Sequence, residues 1–342
     1  MRYCELHAGS AFSFLRGGIL PESLATAAAE KNIPAIAQLD RDNLSGAVRF
    51  HKASRSGGVK PIVGAEVTMF DGASLPLIPV NRRGYQNLCR LLTDIKLREQ
   101  KGEHRATFED LEMYSSDIIC LSGGHEDGLV PRSVRSGSHV RTVDRLRTIF
   151  DDRFFIEVQR HLRRDEEQVN GVLFALADSH RIPVVATNGP IFSEHKEREI
   201  ADVFSCLRNH RNIRTAGRML SLNAERSVKS SAQMMKLFAD REDAVKRTSE
   251  VADMISFSID DVGYRFPDYD TPDGGPMGPY LRHLTFEGAA RRYSGKVPEK
   301  IAMQLRRELD LIEKGARHVP WHGDAPRSPG GTPAGAPGAP TV

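Results

Sequence analysis

Seven short apolar runs recur through the first 190 residues, and helical patterns separate several of them. The runs are Tyr3–Leu6, Ala35–Leu39, Pro61–Met69, Leu75–Val80, Ile118–Leu121, Phe154–Val158 and Pro183–Thr187. The helical patterns lie near 22–31, 44–56, 84–99, 142–150 and 165–180. Strand–helix alternation of this kind predicts an α/β fold with a mainly parallel sheet, open or closed into a barrel. Most runs are continuously apolar, which predicts strands covered on both faces. Gly17-Gly18 and Pro21 punctuate the first connection, and Glu22 supplies the acidic first turn of the helix that follows.

The 342 residues carry 48 Lys and Arg against 45 Asp and Glu, a formal charge of +3. Near neutrality excludes a histone-like polycation and leaves room for local basic patches. No stretch reaches the length of apolar sequence a membrane span needs. Residues 1–20 contain Glu5, His7 and Arg16 with no unbroken apolar core, so no signal peptide is expected. The compartment expected is the cytoplasm. Cys4, Cys89, Cys120 and Cys206 form no C-x-x-C pair, so they read as unpaired packing residues.

From about residue 195 the pattern turns helical, with Val245, Thr248, Val251, Ala252 and Ile255 on one face. The expected organisation is a barrel domain with a helical end over 1–260, a Pro/Gly/Asp-rich linker over 261–279, and helices over 280–315. Pro298 opens the last of these, whose stripe is Ile301, Leu305, Leu309 and Ile312. Residues 320–342 hold six prolines and five glycines and no Leu, Ile or Phe, so a disordered tail is expected over 316–342. The switch at Gly315 interrupts a well-patterned helix and reads as a frameshift or truncation.

The chemically suggestive side chains gather at strand ends. Glu5-Leu6-His7-Ala8-Gly9-Ser10 follows the first strand, Asp40-Arg41-Asp42-Asn43 the second, and Gly64-Ala65-Glu66-Val67 lies on the third. In an α/β barrel such ends converge on one site, where histidine and carboxylates can hold a metal that activates water. The run His7 to Gly17, then Leu39 to Gly46, then Gly64 to Val67 resembles the polymerase-and-histidinol-phosphatase (PHP) domain that opens bacterial C-family DNA polymerases of the polymerase III alpha type. Phe12-Ser13-Phe14-Leu15-Arg16-Gly17 resembles their error-prone branch. Gly84-Tyr85-Gln86-Asn87-Leu88, Leu121-Ser122-Gly123-Gly124 and Ala186-Thr187-Asn188 follow in the family's order. Past the linker, Pro272-Asp273-Gly274, Tyr280-Leu281-Arg282, Glu287-Gly288 and Glu308-Leu309-Asp310-Leu311-Ile312 resemble the entry into a polymerase region. The resemblance covers about residues 1–314 and implies a PHP-type distorted (β/α)7 barrel.

The departures bear on chemistry. Where the family has His-x-His, this chain has His7 and Gly9; where it has Asp-His-Asp, this chain has Asp40-Arg41-Asp42. Ser74, Gly124 and Gly189-Pro190-Ile191 replace further family positions of ligand type. The resemblance therefore leaves a degenerate pocket of His7, Asp40, Arg41, Asp42 and Glu66. If any metal bound, its ligands would be His7, Asp40 and Glu66. Arg41 would stand where a cation should: at about 4 Å and an effective dielectric of about 20, unit charges repel by roughly 4 kcal/mol, and a dication doubles that. Arg41 is suited instead to neutralise Asp40, Asp42 or Glu66.

His125-Glu126-Asp127 reads as a polar loop, His161 as a hydrogen-bonded edge residue, and Glu157 as a neighbour of the pocket. Arg208, Arg211, Arg214 and Arg218 are candidate DNA contacts, as is the stretch from Arg132 to Arg147. Interleaved aromatics for base stacking are missing from both. No catalytic residue is assigned and no cofactor is expected for this chain; Mg2+ belongs to the intact polymerase family. The reading is a structural PHP region of an error-prone polymerase III alpha-like protein, serving DNA replication and translesion repair synthesis. Its partners would be the remainder of the polymerase chain and, through it, DNA, with no membrane. The alternative is a PHP-type metal-dependent phosphoesterase or 3′–5′ exonuclease using His7, Asp40, Asp42 and Glu66.

Overall fold

The computed structural model describes residues 2–98, 100, 102–262 and 269–317. The chain divides into two units, residues 1–262 and 263–342.

All seven apolar runs are strands: β1 (Glu5–Ala8), β2 (Ala35–Arg41), β3 (Lys60–Thr68), β4 (Ser74–Pro79), β5 (Ile118–Leu121), β6 (Phe154–Val158) and β7 (Val184–Ala186). They form one curled sheet in chain order, β1 to β7. Four pairings are parallel, but β4 runs antiparallel to both neighbours. A tight turn at Asp71-Gly72, with Gly72 at φ 81°, makes β3 and β4 a hairpin. Between the two edges, the Gly9 amide donates to the Pro190 carbonyl at 3.0 Å and the Asn188 amide donates to Glu5 at 2.9 Å.

The expected helices are α1 (Pro21–Glu30), α2 (Ala47–Ser56), α3 (Arg82–Arg98), α6 (His139–Phe150) and α7 (Arg164–His180). Two more, α4 (Phe108–Tyr114) and α5 (Leu129–Ser136), are too short to show a period. Thr107 and Asp110 nonetheless form a capping box that starts α4. The helical stretch after 195 holds α8 (Arg198–Arg208), α9 (Ser231–Leu237) and α10 (Glu242–Met254).

Cross-strand register explains which side chains meet. Ala37 pairs with Ile62, Leu39 with Gly64, and Arg41 with Glu66, so these lie on one face at successive levels. The lower levels are apolar: Ala35, Ala37, Leu39 and Ile62 pack with Ile119, Leu121 and Val185. Val251, Ala252 and Ile255, at the end of α10, join this core, and Lys60 donates to the Ala252 and Ile255 carbonyls at 2.7 and 2.8 Å. Polar side chains therefore face one another only at the opposite, carboxyl end of the strands. The helices cover the other face through two further cores, a larger one that includes α3, α6 and α7 and a smaller one under α1 and α2.

The second unit contains α11 (Met277–Arg292) and α12 (Glu299–Arg317), joined by Arg282 to Asp310 at 2.6 Å and Glu313 at 3.1 Å. Helix α11 thus starts inside the stretch read as linker, and α12 runs past the expected end at 315. Residues 318–342, including Trp321 and most of the expected tail, lie outside the described residues, as do 263–268. No described helix is long and apolar enough to cross a membrane.

Candidate functional site

The site opens at the carboxyl end of the sheet, in a cavity of about 440 Å3. His7, Arg41 and Glu66 line it; Asp40 and Asp42 do not. The alternation of side chains along β2 is the reason. Leu39 and Arg41 face inward, so Asp40 faces the loop after β1, where it accepts from Ser10 Oγ at 2.8 Å, the Ser10 amide at 2.8 Å and Ser13 Oγ at 2.7 Å. Gln38 donates to it as well. Asp42, at φ 55°, turns away and accepts from the Thr68 amide at 2.7 Å and the Thr68 hydroxyl, with His104 3.4 Å away. The expected five-residue pocket is thus three pocket residues and two carboxylates tied elsewhere, Asp40 to the loop after β1 and Asp42 to the end of β3.

His7 reaches the cavity through a bulge: three residues of β1 advance against two of β2, between Glu5 and Ala8. Its Nδ1 is 2.7 Å from Glu157 Oε1 and its Nε2 is 3.3 Å from Glu66 Oε1. Burial disfavours the charged ring, but Glu157 and Glu66 outweigh it and push the His7 pKa up to about 10. A doubly protonated ring has no lone pair for a metal. Gln159 Nε2 and Thr187 also donate to Glu157 Oε1, whereas Glu157 Oε2 is buried without a hydrogen-bond partner.

Arg41 lies over Glu66, its cross-strand neighbour, with Nε 3.2 Å from Oε2. The contact is an ion pair whose angle is too bent for a hydrogen bond, since Nε is also without a hydrogen-bond partner. Its Nη2 donates to Asp127, and Thr68 Oγ1 lies 3.4 Å from Nη1. Burial works to raise the Glu66 pKa, yet Arg41 and His7 hold it well below the usual carboxylate range. Arg41 itself is held more firmly protonated, as Glu66, Asp127 and Asp42 overcome its burial. The chain of alternating charge is therefore Glu157, His7, Glu66, Arg41, Asp127.

These residues do not fit a divalent metal. The carboxylates that could ligate are matched by cations, and among the described residues no group of three or more His, Cys, Asp or Glu has an arrangement that could hold one. Gly9 lines the cavity with room for a side chain, because an added Cβ would meet nothing nearer than 3.8 Å. Gly189 differs: at φ 54° its Cβ would come within 2.7 Å of Gln159, and its carbonyl accepts from Arg226.

His125, Glu126 and Asp127 lie in the turn after β5, as read from the sequence, and this polar loop lines the cavity, with Asp127 the partner of Arg41. Of the candidate DNA-contact arginines, Arg208 and Arg218 line the same cavity, whereas Arg211 and Arg214 are exposed outside its lining. His161 is satisfied, with Nδ1 2.8 Å from Glu166 and Nε2 2.8 Å from the Asn188 carbonyl. Arg135, from the stretch Arg132 to Arg147 read as a candidate DNA contact, lines the cavity too; Arg163 and Arg226 escaped sequence reasoning, since nothing local marks them as neighbours.

Residues 5–161 match the PHP domain. An error-prone DNA polymerase from Bdellovibrio bacteriovorus is 31% identical over 322 residues, covering 91% of this chain and 29% of the relative. An error-prone DNA polymerase from Caulobacter vibrioides is 35% identical over 313 residues, with 91% and 28% covered. Error-prone DNA polymerase 2 of Rhizobium meliloti is 32% identical, with 92% and 28% covered. The chain spans less than a third of the length of these relatives.

Proposed function

We propose that this chain, whose residues 5–161 match the PHP domain and which is similar to error-prone DNA polymerases over 91% of its length, serves as the structural N-terminal region of such a polymerase, its pocket held by ion pairs in place of metal chemistry. The observation that carries the reading is Arg41, whose guanidinium lies between Glu66 and Asp127 at the place a cation would need. Glu66 and Asp127 then act as its counter-charges, His7 bridges Glu66 to Glu157, and the strand ends are fastened to one another across β1, β2, β3 and β6. In this role the domain is a packing partner for the rest of a polymerase, and it performs no nucleotidyl transfer or phosphoester hydrolysis itself.

The test is hydrolysis by the purified chain. Release of phosphate from nucleotides, and of nucleotides from a 3′ end, is measured with Mn2+ or Zn2+ added. The expected result is the uncatalysed rate in both. Metal-dependent release that Glu66→Ala abolishes would instead identify a phosphoesterase or 3′–5′ exonuclease.

A further inference from the structure

Helix α8 presents its apolar side chains outward. Ile200, Val203, Phe204 and Leu207 recur at three- and four-residue spacing and so share one face. Ile200, Val203 and Leu207 are 45%, 45% and 55% exposed, and Phe204 is half-buried. The face that meets the domain carries smaller or polar side chains, Ala201, Asp202 and Cys206, all buried. Asp202 anchors the helix there, accepting from Arg198 at 3.2 Å and from the Ser221 amide at 2.8 Å. A surface helix ordinarily turns its large apolar residues to the core, and an apolar face left in water marks a surface that a partner covers.

The loop after β1 extends this patch. At one end of α8 Arg208 donates to the Leu15 carbonyl at 2.8 Å; at the other Gly18 lies against Ile200, where an added Cβ would come 3.3 Å from Cγ2. The loop therefore runs along the helix, and it carries Phe14, 80% exposed, and exposed Leu20. The two ends of α8 differ in charge. At its entry Glu194 pairs with Lys196 and Arg198 with Asp202, so among the described residues Glu197 and Glu199 have no cationic partner. Past its exit Arg211 and Arg214 are exposed, and among the described residues neither has a carboxylate partner.

We propose that a second copy of this chain covers the apolar face of α8, the two helices packing antiparallel about a twofold axis. The charge pattern selects this occupant. A partner of one sign would be attracted to one end of α8 and repelled by the other. An antiparallel copy sets the acidic entry of each helix beside the basic exit of the other, twice over. Ile200 of one copy then faces Leu207 of the other, with Val203 and Phe204 next to the axis. Eleven residues make a helix about 16 Å long and about 10 Å wide. Even with Phe14 and Leu20 this footprint falls short of the roughly 800 Å2 per partner of a standard interface. The dimer is therefore reversible, with a Kd of roughly 1–100 µM. The four apolar residues lie outside the lining of the cavity, so the proposal stands apart from the metal-free reading.

The test is sedimentation velocity of the full chain over concentrations spanning about 1–200 µM, at about 0.1 M and about 0.5 M salt. The sedimentation coefficient is expected to rise from the monomer value to the dimer value, and to rise later in the higher salt. Val203→Glu should raise the Kd roughly tenfold or more, because association would bury an unpaired charge. Val203 is exposed in the single copy, so this variant should melt like the parent when dilute. Glu199→Lys, and separately Arg211→Glu with Arg214→Glu, should each weaken association by setting like charges opposite one another. An equimolar mixture of these two charge variants should dimerise again, since both ends are then opposite in sign, a recovery that misfolded protein could not show. A monomer at every concentration overturns the proposal, as does a dimer that Val203→Glu leaves intact. Growth past the dimer, or a mixture that does not recover, overturns the antiparallel twofold arrangement.

Discussion

Replacing Arg41 by Met keeps the side-chain volume close but removes the one cation between Glu66 and Asp127. The Arg41 and Glu66 side chains are 9% and 15% exposed, so this is a largely buried pair. Breaking such a pair from one side costs about 3–5 kcal/mol, because the partner charge stays buried. Asp127 is 37% exposed and returns to water at little cost, and His7 remains beside Glu66, so the low end, about 3 kcal/mol, is expected. At about 2–4 °C per kcal/mol for a domain of this size, the melting midpoint should fall by roughly 6–12 °C. The pH dependence carries a sign. Glu66 has its pKa lowered in the folded state, so it contributes stability above the unfolded carboxylate range, lost as pH falls through its folded pKa. The gap between Arg41→Met and the parent should therefore be widest near neutrality and shrink as pH falls below the unfolded carboxylate range toward the folded pKa of Glu66. Adding Glu66→Gln to Arg41→Met should restore part of the loss, a coupling of about 1–3 kcal/mol. Calorimetric melting of the four proteins reads all of this. An Arg41→Met variant as stable as the parent at neutral pH, or no rescue by Glu66→Gln, would refute the reasoning.

Other perturbations reach different parts of the site. With its pKa pushed up to about 10, His7 should show imidazolium carbon shifts at pH 8 by NMR, and a neutral ring there would contradict the Glu157 and Glu66 contacts. Because that pKa is raised, the His7 contribution to stability is full below about pH 6.5 and lost as pH rises through 10; Glu157→Gln should flatten that limb of a pH–stability curve. Gly9→His with Arg41→His adds two imidazoles beside His7 and Glu66 where space exists, and should gain one equivalent of zinc by isothermal titration; a silent titration would show that other departures decide metal binding. Asp42→Ala removes two bonds to Thr68 and a residue type that tolerates φ 55°, so a loss of about 1–3 kcal/mol is expected in urea unfolding, with Asp42→Asn milder.

The strands were legible because both sheet faces are covered, which writes each one as an apolar run. The direction of β4 was also available, since Asp71-Gly72 between two apolar runs is a strong hairpin signal, but strand–helix alternation alone points to parallel pairing. In the site, residue type marked His7, Arg41 and Glu66. Alternation along β2 already separates Arg41 from Asp40 and Asp42, whereas proximity in sequence suggests a single cluster. The bulge that aims His7, and the meeting of Arg41 with Asp127, 86 residues away, follow from tertiary packing and leave no local mark. The same holds for Arg135, Arg208 and Arg218, which share a cavity only because α5, α8 and the turn after it converge there.

The most direct test of the ion-paired pocket is equilibrium dialysis of the purified chain against zinc at neutral pH, with the bound metal counted by mass spectrometry. The account predicts no stoichiometric zinc in the parent protein, because His7 is protonated and Arg41 holds Glu66. One tightly held equivalent, lost in Glu66→Ala, would contradict it.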